Sequence, residues 1–168
     1  MLRACTLIVA VAALALPASS AAATYTDTVV GAEIAFTSTQ GTFVGKATGQ
    51  LPGAWRAVVN HTPLSPNADI TGGSFVLWTV LNGAPARITG NFDPDVPADS
   101  DEIVRTNPGA GCTNETYAVA DDLVNVAVNG SGSGTGSFTV QLTHHRIALF
   151  GRCFTYSATV AGTLVLNL

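Results

Sequence analysis

The chain has 168 residues, of which 47% are hydrophobic and 11% are charged, and it contains 17 glycines. This is the length of one domain, and the composition is typical of a packed, β-rich globule and excludes a disordered chain. Seven basic residues against eleven acidic ones give a net charge of -4. Nucleic acid is therefore excluded as the main partner, because polyanion binding requires clustered Lys and Arg.

The first predicted element is a secretory signal peptide over residues 1–23. Arg3 provides a short positive start, an apolar run covers residues 6–16, and small residues lead to Ala23. The apolar run is too short for a membrane-spanning helix, which needs about 20 residues. We therefore expect cleavage near Ala23, a secreted, extracellular protein with no membrane span after cleavage, and a single folded domain over residues 24–168.

Cleavage would remove Cys5 and leave two cysteines, Cys112 and Cys153. Exported proteins mature in an oxidising compartment, where an even pair of cysteines forms a disulfide. We therefore predict a Cys112–Cys153 disulfide. The single lysine and the abundant Ala, Val and Gly suggest a GC-rich bacterial source.

The mature chain shows the period-two alternation of strands and no convincing helical periodicity. In the last segment, for example, Val160, Gly162, Leu164 and Leu166 share one face. The domain is therefore predicted to be all-β, and about eight strands without a helix fit a closed barrel or a two-sheet sandwich. The predicted strands lie near residues 25–39, 41–50, 54–62, 69–82, 84–92, 112–129, 135–150 and 152–168.

Three connections between these strands have distinctive compositions. Residues 63–67 form a proline-rich turn, and residues 129–136 are predicted to be a flexible Gly/Ser tip. Residues 93–111 are predicted to be a long loop rich in Pro, Asp and Gly, and a loop of this length is a candidate lid over one end of a barrel.

A repeated Gly-x-Phe motif favours the barrel over the sandwich. Glycine and phenylalanine two residues apart share a face of a strand, so the aromatic ring fills the space that the glycine leaves at a bend. Four such bends would help to close a single antiparallel sheet. The motif occurs at Gly41–Phe43, Gly73–Phe75, Gly90–Phe92 and Gly136–Phe138.

Glycine and aromatic spacings recur in a fixed order along the mature chain, in GTFVGKATG (41–49), ITGGSF (70–75), ITGNF (88–92), Cys112, LTHHR (142–146) and CFTYSATVAG (153–162). This order resembles secreted bacterial members of the allene oxide cyclase barrel-like family, which are related in fold to plant allene oxide cyclase and dirigent proteins. The resemblance implies an eight-stranded antiparallel barrel with an apolar cavity. Its motifs include no catalytic signature, so it assigns no catalytic residue to this chain.

The densest group of functional side chains, His144 to Arg146, lies in a hairpin with two predicted registers. A two-residue turn at Gly151–Arg152 would pair Leu149 with Phe154 and would require a bulge near residues 143–145 to keep the earlier apolar residues inward.

A three-residue connection would instead pair Phe150 with Phe154 and direct His144 and Arg146 into the barrel. In that register Arg146 would require a carboxylate such as Glu33, or an anionic ligand, as its partner. Glu33, His144 and Arg146 are therefore the candidate catalytic residues, with Glu33 as a general base if it faces inward.

Four aromatic residues are candidate ligand contacts because barrel aromatics can line a pocket. We predict no metal site and no cofactor, because adjacent histidines such as His144 and His145 point to opposite faces of a strand. The acidic loop (92–102), which contains Asp93, Asp95, Asp99 and Asp101, lacks the spacing of a calcium site and is predicted to be solvated. The four aromatic candidates are Trp55, Trp78, Tyr117 and Tyr156.

Three classes of function fit this sequence. The first is a barrel that binds a small apolar or lipid-like molecule, which would then be the partner. The second is a cyclase or isomerase that uses the same cavity, and the third is a structural or surface-interaction module with a filled barrel. Binding is favoured because no acid–base pair can be located. The sequence determines neither whether the protein is an enzyme nor its oligomeric state.

Overall fold

A computed structural model of the chain describes residues 22–94 and 102–168. These residues form strands and one short 3-10 helix, and none of their helices is long and apolar enough to cross a membrane. Residues 1–21, which hold all but two residues of the predicted signal peptide, lie outside the described residues. So do residues 95–101 of the acidic loop.

The strands have the alternating buried and exposed side chains that the sequence pattern predicts. Their bounds, in chain order, are β1 (Thr24–Thr37), β2 (Gln40–Gly49), β3 (Gly53–His61), β4 (Ile70–Leu81), β5 (Ala84–Phe92), β6 (Ile103–Asn107), β7 (Glu115–Val128), β8 (Ser131–Leu149) and β9 (Arg152–Asn167), with the 3-10 helix at Ala110–Cys112 between β6 and β7.

Eight of the strands form a closed antiparallel barrel, which confirms the predicted fold. The sheet order is β5-β4-β3-β2-β1-β9-β8-β7, and pairing of β5 with β7 closes the sheet. Strand β6 lies outside the barrel and pairs with the first half of β7. The predicted Cys112–Cys153 disulfide is also confirmed, with a Cα–Cα distance of 5.5 Å.

Two predicted loops contain strand. Strand β6 and the first two residues of the 3-10 helix fall within the predicted loop 93–111. Strand β6 can form there because β5 pairs only with the second half of β7 and leaves the edge of the first half of β7 free. The predicted flexible tip 129–136 is mostly the start of β8. Small residues suit that segment, because a Cβ atom on Gly134 would lie 2.2 Å from the carbonyl oxygen of Asn167.

The final hairpin has a register that neither predicted alternative contained. Leu149 pairs with Arg152, and the two-residue turn is Phe150–Gly151 rather than Gly151–Arg152. The register then shifts between His145 and Arg146, next to the predicted bulge. A shift of one residue exchanges the inward and outward side chains of a strand, so the apolar residues of β8 before the bulge face the barrel interior.

One end of the barrel is filled by side chains, and Trp55 is the largest of them. Its indole lies against Gly31 and Gly45, where a Cβ atom would approach ring atoms to 2.6 and 2.7 Å. Leu51, also buried, donates its backbone N–H to a carboxyl oxygen of Asp27 at 2.8 Å. These residues close the end at which β2 turns into β3.

Aromatic rings divide the filled half of the barrel from the other half. Phe138 contacts the rings of Trp55 and Phe92, with centroids 5.8 Å apart in both pairs, and that of Phe75 at 6.1 Å. Three of the four Gly-x-Phe motifs supply these phenylalanines, which are buried. The ring fills the space beside the glycine of its own motif at Gly41–Phe43, where a Cβ atom would lie 2.7 Å from the Phe43 ring, and not in the other three motifs. The rings form the floor of the open half, which ends at the β1–β2 and β8–β9 turns.

Candidate functional site

The open half of the barrel contains a cavity of about 260 Å³. This volume lies just below the usual range of ligand pockets, about 300–1,000 Å³. Its walls are mainly aliphatic and aromatic, and its polar lining includes Glu33, His61 and His144. The apolar lining residues are Phe36, Phe43, Val59, Pro63, Leu64, Phe92, Ile103, Val119, Phe138, Val140, Leu142 and Val160.

Glu33 faces the cavity because it lies on the inward side of β1, opposite Phe43 of β2. Its carboxylate occupies space beside Gly41, where a Cβ atom would be 2.8 Å from Oε1. Burial raises the pKa of Glu33 from its usual value of 4.5 to about 7. The side chain has no hydrogen-bond or ion-pair partner among the residues that the structure describes, so it is free to bind a ligand.

His144 also lines the cavity, at the end of the inward series of β8. Burial lowers the pKa of His144, and the charges of Arg146 and His145 act in the same direction, while Glu115 opposes them. The imidazole is therefore neutral at pH 7 and offers one donor and one acceptor. Its Nδ1 lies 4.0 Å from a carboxyl oxygen of Glu115.

Three side chains form a polar cluster beside His144, and they belong to Arg105, Glu115 and Tyr117. Glu115 forms an ion pair with Arg105 at 3.4 Å, and the Tyr117 ring lies 5.3 Å from the imidazole ring. Burial, followed by the negative charge of Glu115 and a hydrogen bond to it, raises the pKa of Tyr117 to about 12. The prediction missed Glu115, although it lies two residues before Tyr117 and therefore on the same face of β7.

His61 is a second histidine of the cavity that the prediction did not select. It ends β3, and its Nδ1 lies 2.7 Å from the backbone carbonyl oxygen of Thr62. A carbonyl oxygen only accepts, so Nδ1 carries a proton in this hydrogen bond.

Arg146 does not line the cavity, contrary to the register that directed it into the barrel beside Glu33. Its guanidinium donates hydrogen bonds to the backbone carbonyls of Pro108 and Gly109, at 3.2 and 3.3 Å. It thus attaches the segment before the 3-10 helix to the β8–β9 hairpin.

None of the four predicted ligand-contact aromatics lines the cavity. Trp55 is buried below the aromatic floor, and Tyr117 is buried beside His144. Trp78 and Tyr156 are 47% and 68% exposed. Trp78 follows inward Leu77 directly in β4, so strand alternation places it on the outer surface.

The two adjacent histidines diverge as predicted. His145 contacts Thr159 on the outer surface, with Nε2 2.9 Å from the threonine hydroxyl, while His144 faces the cavity. Within residues 22–94 and 102–168, no group of three or more His, Cys, Asp or Glu side chains could hold a metal ion. Asp95, Asp99 and Asp101 lie outside those ranges.

Comparison with known proteins identifies no family. No family model matches the chain, and no curated protein or solved structure matches it significantly. The interpretation of the site therefore depends on its geometry: an apolar cavity, open at one end, with an unpaired carboxyl group and a neutral imidazole on its walls.

Proposed function

We propose that this chain is a secreted barrel that binds a small, largely apolar molecule in the cavity at its open end. The observation that carries the proposal is the open cavity itself, which is lined by hydrocarbon side chains. A purely structural barrel would be filled by its own side chains, as the half around Trp55 is. The disulfide is consistent with an exported protein.

The polar groups suggest which class of ligand the cavity binds. Because burial raises the pKa of Glu33 to about 7, the carboxyl is largely protonated below pH 7 and can donate a hydrogen bond. Neutral His144 adds one donor and one acceptor. A hydrocarbon chain or ring with one carbonyl or hydroxyl group matches this arrangement, whereas a highly charged ligand does not.

The binding test compares a blocked cavity with an equal change on the outer surface. Val140→Phe adds a ring to the cavity wall, and Val30→Phe adds the same ring to an exposed position on β1. Binding of a homologous series of 2-alkanones, measured by calorimetry, should be lost in Val140→Phe and unchanged in Val30→Phe. Lipid extracts incubated with the protein would identify the retained natural compound by mass spectrometry.

Two outcomes would contradict the proposal. The first is equal ketone binding by the wild type and by a folded Val140→Phe variant, because the ligand would then lie elsewhere. The second is the absence of any retained compound or ketone binding in the wild type, which would favour a structural role.

A cyclase or isomerase activity in the same cavity is the second candidate. It is favoured by the pKa of Glu33, which lies near neutrality, where a general acid or base is most effective. The resemblance to the allene oxide cyclase barrel-like family implies the barrel and its cavity and adds little about the reaction. Glu33→Gln should retain a bound compound from a metabolite extract but no longer convert it, and conversion at the wild-type rate would exclude Glu33 as the catalytic group.

A further inference from the structure

Three hairpin turns of the barrel share one backbone geometry but differ in sequence. Asn82–Gly83, Asn129–Gly130 and Phe150–Gly151 are two-residue turns in which both residues have positive φ, with values of 50–52° at the first position. Such turns favour Asn-Gly, because asparagine tolerates a left-handed backbone and a bulky residue does not. Phe150 is the exception.

Contacts within the described residues do not explain this exception. Phe150 is 100% exposed, so its ring gains no burial that would offset the unfavourable backbone conformation. The two Asn-Gly turns lie at the filled end of the barrel, whereas Phe150 lies at the open end. The side chain is therefore placed for a contact outside this molecule.

The turn lies at the tip of a ribbon that extends beyond the barrel wall. Strand β9 pairs with β1 only as far as Thr159, and β8 pairs with β7 only as far as His144. Beyond these pairs β8 and β9 pair only with each other, over a length of about 15 Å, since a strand rises about 3.3 Å per residue.

One face of the ribbon is attached to the protein, and the other carries three exposed apolar side chains and Arg152. The disulfide of Cys153 and the hydrogen bonds of Arg146 fix the first face to residues 108–112. Ile147, Leu149 and Phe154 extend from the second face, and each is about half exposed. The attachments hold the ribbon rigid and leave an apolar edge and tip toward solvent.

The charge of this segment differs from that of the whole chain. Residues 146–156 contain Arg146 and Arg152 and no acidic residue, although the chain has eleven acidic residues against seven basic ones. Arg146 is held by backbone carbonyls on the attached face, so Arg152, which pairs with Leu149, is the basic side chain next to the apolar tip. A rigid apolar tip with this arginine matches the interface of an anionic phospholipid bilayer, where aromatic rings enter the headgroup region and basic groups remain near the phosphates.

The apolar area favours a lipid surface over a second copy of this chain. The exposed parts of Ile147, Leu149, Phe150 and Phe154 total roughly 400 Å², taking about 200 Å² for a whole phenylalanine. A stable protein–protein interface needs about 800 Å² from each partner. These four side chains alone are too few for such an interface, but they can enter a bilayer interface.

We propose that the β8–β9 hairpin is a membrane-docking element, in which Phe150 and the apolar face of the ribbon insert into the headgroup region of an anionic phospholipid bilayer. The docking site is distinct from the cavity and does not depend on what the cavity binds. Docking by this hairpin would bring the open end of the barrel to the bilayer surface.

The test uses the purified protein and vesicles of phosphatidylcholine with or without phosphatidylglycerol. Phe150→Asn gives this turn the Asn-Gly sequence of the other two turns, so the melting temperature of the variant should equal or exceed that of the wild type. Vesicle binding in a flotation assay should fall by about tenfold or more, as expected for the loss of one inserted aromatic side chain. Val80→Thr, which removes an exposed apolar side chain from the outer wall of β4, should bind like the wild type.

Three results would overturn the proposal. One is equal vesicle binding by Phe150→Asn and the wild type, and another is no binding of the wild type to either vesicle. The third is a concentration-dependent dimer that Phe150→Asn abolishes, without vesicle binding, because the tip would then contact a second copy. If Phe150→Asn does not fold, the double variant Ile147→Ser, Leu149→Ser gives the same comparison.

Discussion

The carboxylate of Glu33 fits against Gly41 on the neighbouring strand, with Oε1 2.8 Å from the position that a Cβ atom would occupy there. The ring of Phe43 lies equally close to that position, at 2.7 Å. The absence of a side chain at residue 41 therefore allows both a carboxyl group and an aromatic ring to line the same part of the cavity.

Gly41→Ala should reduce ketone binding by displacing one or both of these side chains into the cavity. The flexible carboxylate can move at little cost, so the main effect is expected from the Phe43 ring. Calorimetry should show weaker binding, and Phe43→Leu added to Gly41→Ala should recover part of it. Unchanged binding in the single variant would mean that this wall does not contact the ligand.

Ketone affinity should decrease as the pH rises through about 7. Below that pH the Glu33 carboxyl is protonated and donates a hydrogen bond to the ketone oxygen, and above it the carboxylate is an acceptor that repels this oxygen. Glu33→Gln keeps a donor at every pH, so its affinity should not vary across this range. Parallel pH profiles for the two proteins would show that Glu33 does not contact the ligand.

Asp121→Asn should stabilise the protein at pH 8. Burial first, and then the charges of Glu102, Asp122 and Asp93, raise the pKa of Asp121 from 3.8 to about 7. The folded state therefore binds the proton more tightly than the unfolded state, and the wild type loses stability as the pH rises from about 4 to about 7.

The Asp121→Asn variant does not lose stability in this way. At pH 8 its free energy of unfolding should exceed that of the wild type by about 1 kcal/mol, a small value because solvent screens the charge of a half-buried carboxylate. Chemical denaturation at pH 4 and pH 8 would measure it. Asp69→Asn, the same change at a carboxylate that is not among the charges acting on Asp121, serves as the control. A difference between wild type and Asp121→Asn that does not grow with pH would contradict the assigned pKa.

Removal of the disulfide should destabilise the protein but leave the cavity able to bind ketones. Cys112 and Cys153 are 41 residues apart in sequence, and closing a loop of this size contributes about 4 kcal/mol in the chain-entropy model. The Cys112→Ser, Cys153→Ser variant should therefore melt at a lower temperature and still bind ketones. Loss of ketone binding in the folded variant would show that the bond also shapes the cavity.

Arg146→Ala should lower the free energy of unfolding by about 1–2 kcal/mol, since it removes charge-assisted hydrogen bonds to two backbone carbonyls. Ketone binding should not change, because Arg146 lies outside the cavity. Arg152→Ala is a matched control on the same hairpin, and surface substitutions of this kind usually change stability by less than about 0.5 kcal/mol. Equal melting temperatures for the two variants would remove the proposed role of Arg146.

Features that depend on local pattern could be predicted from the sequence alone. Alternation of side chains every two residues predicts strands such as β4 and β9, since the period is a property of the extended backbone. The Gly-x-Phe spacing predicted only that the glycine and the phenylalanine of each motif share a face. The Cys112–Cys153 pairing followed from counting the cysteines that remain after export.

Features that depend on which strands meet required the tertiary structure. The pairing of β8 with β9 shifts by one residue at a bulge beside His145. Side chains before the bulge, such as His144, face the cavity, whereas the hairpin after it follows the opposite alternation. The cavity brings together Glu33 of β1 and His144 of β8, although the two residues are 111 positions apart in the sequence. Local pattern carries no information about such distant neighbours, because closure of the sheet, not any one strand, brings them to the same interior.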